Sequence, residues 1–169
     1  MSATLSEPFY DPFNSSESFE DYAKRLAADS AKHDHLGKAA AACGEARKAV
    51  AEGNHDAAWG HFHEAKNQYL QHAARHHFTA EQTLALDAAL GPSLANILRL
   101  ESKHRDALVH MIYWAATSTP STTVTKRIRP YFNRCKFESL WLPDLESFID
   151  SLRPLPDFVK IRNAVARWQ

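Results

Sequence analysis

The amino-acid sequence predicts an all-α protein, a helical bundle of about six or seven helices. Only five of the 169 residues are glycine, alanine is abundant, and apolar residues recur at helical spacing. β-rich folds of this length need more turn glycines and longer runs of Val, Ile and Thr. The one run of this kind in the sequence is Thr122 to Thr125. A chain of 169 residues can bury a core but is too short for a large multi-domain enzyme.

The N-terminal residues predict an extended segment followed by a helix. Pro8 and Pro12 favour an extended chain over the first residues. Asn14 followed by Glu17 has the spacing of a capping box, in which side chains bond the free N–H groups at a helix start. A first helix is therefore expected to run to about Ala31.

A tight antiparallel hairpin is predicted around Gly53. One helix is expected from about His35 to Glu52, because Gly53 suits the left-handed position that follows a helix. Asn54 can cap the next helix, which is expected to reach about His76. The buried stripe of that helix is expected to contain Ala58, Phe62, Ala65 and Tyr69.

Further helices are predicted between the hairpin and residue 118. Thr79 with Gln82 has the spacing of another capping box, and the pair Gly91-Pro92 interrupts the helix that this box starts. Helical periodicity resumes over residues 93–117, and Ser102 is a point at which a new helix can start. A loop rich in Ser and Thr follows.

This loop suggests a division of the chain. We expect residues 1–118 to form the main helical bundle and residues 119–169 to form a basic helical extension packed on it. The extension carries nine basic and five acidic side chains, whereas residues 1–34 carry three basic and seven acidic ones. The net charge of zero is therefore a cancellation, and the extension is where an anionic partner would bind.

Short helices are expected in the extension. One is bent at Pro130, and two others are opened by Pro143 and Pro156. Large apolar side chains in this part would be exposed to water unless they packed on the bundle. They are Phe132, Phe137, Leu140, Trp141, Leu145, Phe148, Ile149, Phe158 and Ile161.

The ten histidines do not make a recognisable metal site. Glu101 and His104 have the Glu-x-x-His spacing found in di-iron bundles, but such a site needs two of these pairs and the sequence contains one. His72 and His76 lie one helical turn apart, so a zinc site with a further ligand from elsewhere stays open as an alternative. The prediction is that the protein uses no metal and no cofactor.

No segment of the sequence indicates a membrane span or a secretory leader. A cytoplasmic location is therefore expected. Cys43 and Cys135 have neither redox nor metal-type spacing, so both are expected to behave as small apolar residues. Glycine-rich phosphate loops and nucleophile elbows do not occur, which disfavours NTPases and hydrolases of those classes.

The most specific functional signal is the stretch Arg105 to His110, in which four residues separate Arg from His and an acid directly follows the Arg. It resembles the signature of the HEPN superfamily of small all-α proteins, many of which are metal-independent RNases. The hairpin with Ala49 to Gly53 and Ala57-Ala58 is similar to the first helices of that family. The resemblance covers about residues 36–117. It implies an RNA-binding protein or metal-independent endoribonuclease in a defence or toxin setting, and a homodimer whose two motifs line one cleft.

The chemistry of RNA cleavage without metal fits three residues of this stretch. Asp106 and His110 share a helix face, so Asp106 can orient the imidazole, whereas Arg105 lies about 140° away from His110. His110 is the expected acid or base, and Arg105 is the expected donor to the charged transition state. The alternative is that Arg105 and Asp106 are surface charges and His110 is a half-buried helix residue.

A second stretch, Ile161 to Arg167, resembles the Arg-Asn form of the same signature at Arg162 and Asn163. Arg167 takes the position of the His, and an Arg cannot serve as acid or base at neutral pH. A chain with this stretch as its true motif would be a non-catalytic member of the family, and the Arg105 stretch is preferred.

A basic run in the extension is the predicted nucleic-acid-binding surface. Residues 122–137 contain no acid, and their cations alternate with aromatic residues. Such a mixture neutralises phosphates and stacks unpaired bases, although an ordinary solvated helix with two core aromatics has the same pattern. The predicted binding residues are Lys126, Arg127, Arg129, Tyr131, Arg134 and Lys136.

The alternative function is a non-enzymatic helical interaction module that binds a protein partner. Gly53-Asn54 with Ala58, Phe62 and Ala65 is similar to the second half of a tetratricopeptide repeat, but a solenoid needs about three repeats and one is visible. An adaptor, chaperone or inhibitor would expose an apolar groove. An RNase would instead gather the three motif residues in a basic cleft.

Overall fold

The computed structural model describes residues 18–169, with Phe19 described by its backbone alone. These residues form nine α-helices and no strand, which confirms the all-α prediction. The number exceeds the expected one partly because Ser102 takes a left-handed conformation, with a φ of 62°, and separates two helices. The helices are α1 Phe19–Lys32, α2 His35–Ala51, α3 His55–Arg75, α4 Ala80–Ala88, α5 Gly91–Leu100, α6 His104–Thr117, α7 Thr122–Cys135, α8 Leu142–Leu152 and α9 Phe158–Arg167.

The described residues divide into two compact units, one that ends at residue 34 and one that spans residues 35–169. In the first unit, α1 begins after Ser18, whose side chain accepts a hydrogen bond of 3.1 Å from the Asp21 N–H. The capping box predicted at Asn14 and Glu17 lies outside the described residues. The second unit contains α2 to α9, so the loop after residue 118 lies within this unit.

The hairpin of α2 and α3 forms as the sequence predicts. Gly53 has a φ of 74°, and the Asn54 side chain caps α3 by accepting a hydrogen bond of 3.1 Å from the Ala57 N–H. The left-handed conformation of Gly53 ends α2, and the Asn54 cap starts α3. Small buried residues let the two helices approach closely. They are Ala39, Cys43, Ala46 and Ala49 on α2, and Ala58 and Ala65 on α3.

Helix α4 starts with the predicted capping box. The Gln82 N–H donates to Thr79 Oγ1 at 3.2 Å, and the Thr79 N–H donates to Gln82 Oε1 at 2.9 Å. Gly91 then starts α5, where this helix passes close to α6. A Cβ atom at Gly91 would lie 2.9 Å from the His110 carbonyl oxygen and 3.0 Å from Trp114 Cβ. The close packing of α5 on α6 therefore requires glycine at this position.

Helix α6 is the centre of the second unit and contacts α4, α5, α7, α8 and α9. Its apolar residues lie on nearly all of its sides, as expected for a helix surrounded by protein. The buried residues of α6 are Ala107, Leu108, Val109, Met111, Ile112, Tyr113, Ala115 and Ala116. This central position fixes the place of the Arg105 to His110 stretch, which forms the first two turns of the helix.

The extension packs on α6, and its predicted apolar residues are buried or half-buried with one exception. Trp141 is 72% exposed, contrary to expectation. It precedes α8, and its backbone N–H donates to the Asp144 carboxylate at 2.8 Å. Trp141 therefore belongs to the start of the helix and not to its apolar stripe. Arg153 ties the extension to the bundle, because its guanidinium donates to the Ala115, Ala116 and Ser118 carbonyls at the end of α6.

Neither cysteine is paired, and each packs among apolar residues. Burial raises the pKa of the Cys135 thiol to about 11, although Arg105 acts in the opposite direction. The thiol is therefore protonated at neutral pH and is no nucleophile. Among the helices of residues 18–169, none is both long and apolar enough to cross a membrane.

Candidate nucleic-acid interface

Arg105 lies at the surface and contacts the end of α9. Its Nη1 donates to the Val165 and Ala166 carbonyl oxygens at 3.4 and 3.5 Å, and its guanidinium carbon lies 5.1 Å from the centroid of the Phe137 ring. A cation near the C-terminus of a helix satisfies carbonyls that have no partner within the helix. Arg105 therefore helps to hold α9 against the bundle.

His110 lies between two aromatic residues from other helices. Its ring centroid is 5.7 Å from that of Trp59 on α3 and 5.0 Å from that of Phe158 on α9. Burial lowers the pKa of His110 to about 4; Lys66 and His63 lower it further, while Asp87 acts in the opposite direction. The imidazole is consequently neutral at neutral pH, with one N–H donor and one acceptor nitrogen.

A cleft of about 280 Å³ opens beside His110, and we call it the His110 cleft. Its lining residues are Trp59, Leu98, Lys103, Asp106, Val109, His110, Phe158 and Arg162. Asp106 and His110 thus share one cleft, as their helical spacing suggests. Arg105 does not line it. Within residues 18–169, no hydrogen bond joins Asp106 to His110, so the expected orienting contact is not formed, and ring contacts hold the imidazole instead.

The arginine that does line the His110 cleft is Arg162, on α9. The sequence places Arg162 in the less favoured C-terminal stretch and gives it no part in the site. The sequence could have indicated that Arg162 and Phe158 belong to the same surface, because residues four apart share one face of a helix. The pairing of this face with α6 is a tertiary contact that the sequence pattern does not show.

The basic run forms a groove along α7. This α7 basic groove has a volume of about 540 Å³, and no carboxylate lines it. Its lining residues are Lys126, Arg129, Pro130, Asn133, Arg134 and Lys136. Four of the six predicted binding residues are therefore gathered in one place: Lys126, Arg129 and Arg134 on α7, and Lys136 directly after it.

The other two residues of the predicted surface lie outside this groove. Arg127 stacks on Trp114, with 4.6 Å from its guanidinium carbon to the ring centroid. Tyr131 is half-buried and packs against the apolar core. Tyr131 does not line the groove, so the stacking role expected for it stays a prediction.

A bridging depression of about 360 Å³ connects the two surfaces. It shares Lys103 and Asp106 with the His110 cleft, and it shares Arg134 with the α7 basic groove. Its lining residues are Ser102, Lys103, His104, Arg105, Asp106, Arg134 and Cys135. The Arg105 stretch and the basic run, separate in sequence, therefore adjoin on one surface.

The histidines do not assemble into a metal site in the described part of the chain. No group of three or more His, Cys, Asp or Glu side chains there could hold an ion. The rings of His72 and His76 pack 4.4 Å apart. Glu101 lies near Lys103 at 2.8 Å and near His55 at 4.0 Å, and it makes no pair with His104.

The adaptor alternative predicts an exposed apolar groove. The exposed large apolar side chains of the described residues lie on different helices and loops. They are Leu26, Leu36, Leu70, Leu100, Trp141, Leu155 and Val159. The adaptor hypothesis stays a prediction, and the site with the clearest chemistry is the basic surface.

Comparison with known proteins finds no family model, no curated protein and no solved structure that matches this chain. The resemblance to the HEPN superfamily therefore depends on the sequence stretches alone and stays a prediction.

Proposed function

We propose that the protein binds RNA along the α7 basic groove and the adjoining bridging depression. The observation that carries this proposal is the gathering of four cations in one groove without a carboxylate. Lys and Arg side chains in such a groove neutralise phosphates and release counterions, which is the main source of affinity for nucleic acid. The bridging depression adds the cations of Lys103 and Arg105 to this surface, together with the Asp106 carboxylate.

The choice of RNA follows from the position of this surface. The groove leads to Asp106 and His110, which belong to the stretch that resembles the HEPN signature. The cations by themselves would bind either kind of nucleic acid, because RNA and DNA both carry one negative charge per phosphate. RNA is therefore the proposed ligand, and DNA of the same sequence is the competitor to compare.

The test is fluorescence anisotropy with a labelled single strand of RNA of about 12 nucleotides. Salt is varied from about 50 to 200 mM, and contacts to four phosphates predict a log–log slope of about −3. The variant with Lys126→Gln and Arg129→Gln should reduce the slope by about 1.4 and weaken binding roughly tenfold at low salt. Both substituted residues are exposed, so we expect the variant to fold as the wild-type protein does.

The matched control carries Arg47→Gln and Lys48→Gln. These residues are also one Arg and one Lys, both exposed, and they lie on α2 outside the groove. The control should keep the wild-type affinity and slope. Equal weakening of both variants, or no binding by the wild-type protein, would overturn the proposal.

A second candidate function, metal-independent cleavage of RNA, is favoured by the shared cleft of Asp106, His110 and Arg162. In this reaction neutral His110 accepts the 2′-hydroxyl proton and the 2′-oxygen attacks phosphorus. The bond from phosphorus to the 5′-oxygen breaks, that oxygen takes a proton from water, and a 2′,3′-cyclic phosphate remains. A pKa of about 4 makes His110 a weak base, so we rank cleavage below binding.

Cleavage is tested by incubating RNA with the protein in EDTA and analysing the product ends. Cyclic ends that disappear with His110→Ala, but not with the control His61→Ala, would establish the activity. Intact RNA with the folded wild-type protein would exclude it under those conditions. The homodimer that the HEPN resemblance implies is tested separately by sedimentation, with and without RNA.

A further inference from the structure

The inner wall of the His110 cleft is aromatic and comes from three helices. Trp59 on α3, His110 on α6 and Phe158 on α9 contribute their rings, and Leu98 and Val109 complete the apolar surface. Aromatic side chains of this kind present flat faces on which another planar group can stack. The cleft volume of about 280 Å³ is close to the lower limit for small-molecule sites, so it suits one small planar group.

The rim of the cleft is charged. Lys103 and Arg162 provide two cations, and Asp106 provides one carboxylate. His110 adds hydrogen-bonding capacity on the inner wall, because no group within residues 18–169 forms a hydrogen bond with its ring. A suitable ligand is therefore a planar heteroaromatic group with polar edges, joined to a phosphate.

A nucleotide has this chemistry, and the adjoining surfaces indicate how it would arrive. The bridging depression shares Lys103 and Asp106 with the cleft, so a strand that follows the cations of α7 is led to the rim. A paired base is stacked within a duplex and cannot enter a cleft of this size. An unpaired base can turn away from its strand and stack on aromatic side chains.

We propose that the His110 cleft receives a single unpaired nucleobase of RNA. This inference rests on the proposed function and specifies its substrate class, single-stranded RNA. The base stacks on Trp59 and Phe158, and one of its polar edges faces the His110 imidazole. Arg162 and Lys103 contact the phosphates on either side. The carboxylate of Asp106 accepts hydrogen bonds from ribose hydroxyl or exocyclic amino groups.

The first test compares two labelled strands of about 12 nucleotides, one of ordinary RNA and one with abasic sites throughout. Both carry the same number of phosphates, so the difference in affinity reports the bases. The wild-type protein should bind the ordinary strand roughly tenfold more tightly than the abasic strand. With Phe158→Leu this preference should fall to about twofold or less, while the affinity for the abasic strand is unchanged.

The matched control is Phe148→Leu, which replaces a half-buried phenylalanine of α8 that packs on Trp168 and does not line the cleft. The control should keep the tenfold preference. Loss of the preference in both variants, or equal binding of the two strands by the wild-type protein, would overturn the inference while the proposed function stands. Failure of the wild-type protein to bind either strand would overturn both.

A second measurement does not depend on the stability of a cleft variant at Phe158. Trp59 lines the cleft, so its emission should be quenched by the ordinary strand and not by the abasic strand. The variant Trp59→Phe identifies this signal among the four tryptophans of the chain. Quenching that persists unchanged in Trp59→Phe, or that the abasic strand produces equally, would contradict the inference.

Discussion

The Tyr113 hydroxyl donates a hydrogen bond of 2.9 Å to the Asp87 carboxylate. The other oxygen of this carboxylate lies 3.1 Å from Lys66 Nζ, and the side chains of Lys66 and Asp87 are only 17% and 23% exposed. The contact joins α3, α4 and α6 on the side of α6 that also carries His110. A carboxylate that is largely removed from water, as Asp87 is, costs stability when one of its partners is lost.

Tyr113→Phe should therefore destabilise the protein by about 1–2 kcal/mol, because it leaves one oxygen of the Asp87 carboxylate without its partner. The free energy of unfolding is measured with urea. Tyr131→Phe is the control, since the Tyr131 hydroxyl makes no hydrogen bond to any of residues 18–169. Equal losses in the two variants would show that the Asp87 contact contributes nothing specific.

The stability of the protein should decrease as the pH falls from about 6.5 towards 4. Burial lowers the pKa of His110 from its ordinary value of 6.5 to about 4, so in this range the unfolded chain binds a proton that the native protein does not. Protonation therefore favours unfolding, by up to about 3 kcal/mol at the acidic end. The pKa values of His63 and His72 are also lowered, and they act in the same direction.

Urea unfolding at several pH values measures this dependence. His110→Gln should give a clearly flatter profile between pH 4 and 6.5 than the wild-type protein. The exposed His77 provides a control as His77→Asn, because Asn tolerates the left-handed backbone found there. A profile that is equally steep in His110→Gln would contradict the assignment.

Gly91→Ala should destabilise the protein by about 1–3 kcal/mol, since the added methyl group meets the backbone of α6. Gly60→Ala is a matched control within α3, where nothing lies within 4 Å of the added atom. That control should gain about 0.5–1 kcal/mol from the better helix propensity of alanine. Thermal unfolding of the two variants distinguishes these opposite effects. Equal effects would show that the close packing of α5 on α6 does not require glycine at position 91.

Arg105→Gln should reduce the free energy of unfolding by about 1 kcal/mol, because it removes the contact with Phe137 and the donors at the end of α9. Arg162→Gln should leave stability nearly unchanged, since this side chain is exposed at the cleft rim. Chemical denaturation measures both. Unchanged stability in Arg105→Gln would show that the contacts of Arg105 with Phe137 and α9 do not hold the helix in place.

Several features of the fold are predictable because their signals are local. Gly53 with Asn54, and Thr79 with Gln82, act through hydrogen bonds to residues only a few positions away, so the sequence shows both partners together. The exposure of Trp141 was not predictable in this way. Trp141 is close in sequence to buried apolar residues. Its side chain nevertheless faces solvent, because the chain enters α8 at this position.

In the candidate site, too, features that depend on neighbouring residues were predictable and features that depend on distant residues were not. The sharing of one face by Asp106 and His110 follows from helical spacing and was expected. The sequence also showed a basic run without an acid, but it did not show which of its cations share one groove. The role of Arg105 was not, because its carbonyl partners lie 60 and 61 residues further along the chain. Trp59, Phe158 and Arg162 likewise reach the cleft from other helices.

By itself the sequence determined that this protein is helical, where its main hairpin turns, and that residues 122–137 carry several cations and no acid. Only the tertiary structure decided which arginine lines the His110 cleft, that the imidazole is half-buried between aromatic rings, and that a bridging depression connects the cleft to the α7 basic groove. The physical reason is that capping and periodicity act over a few residues. Burial and the shape of a cleft depend on how distant helices pack, and no single segment encodes that packing.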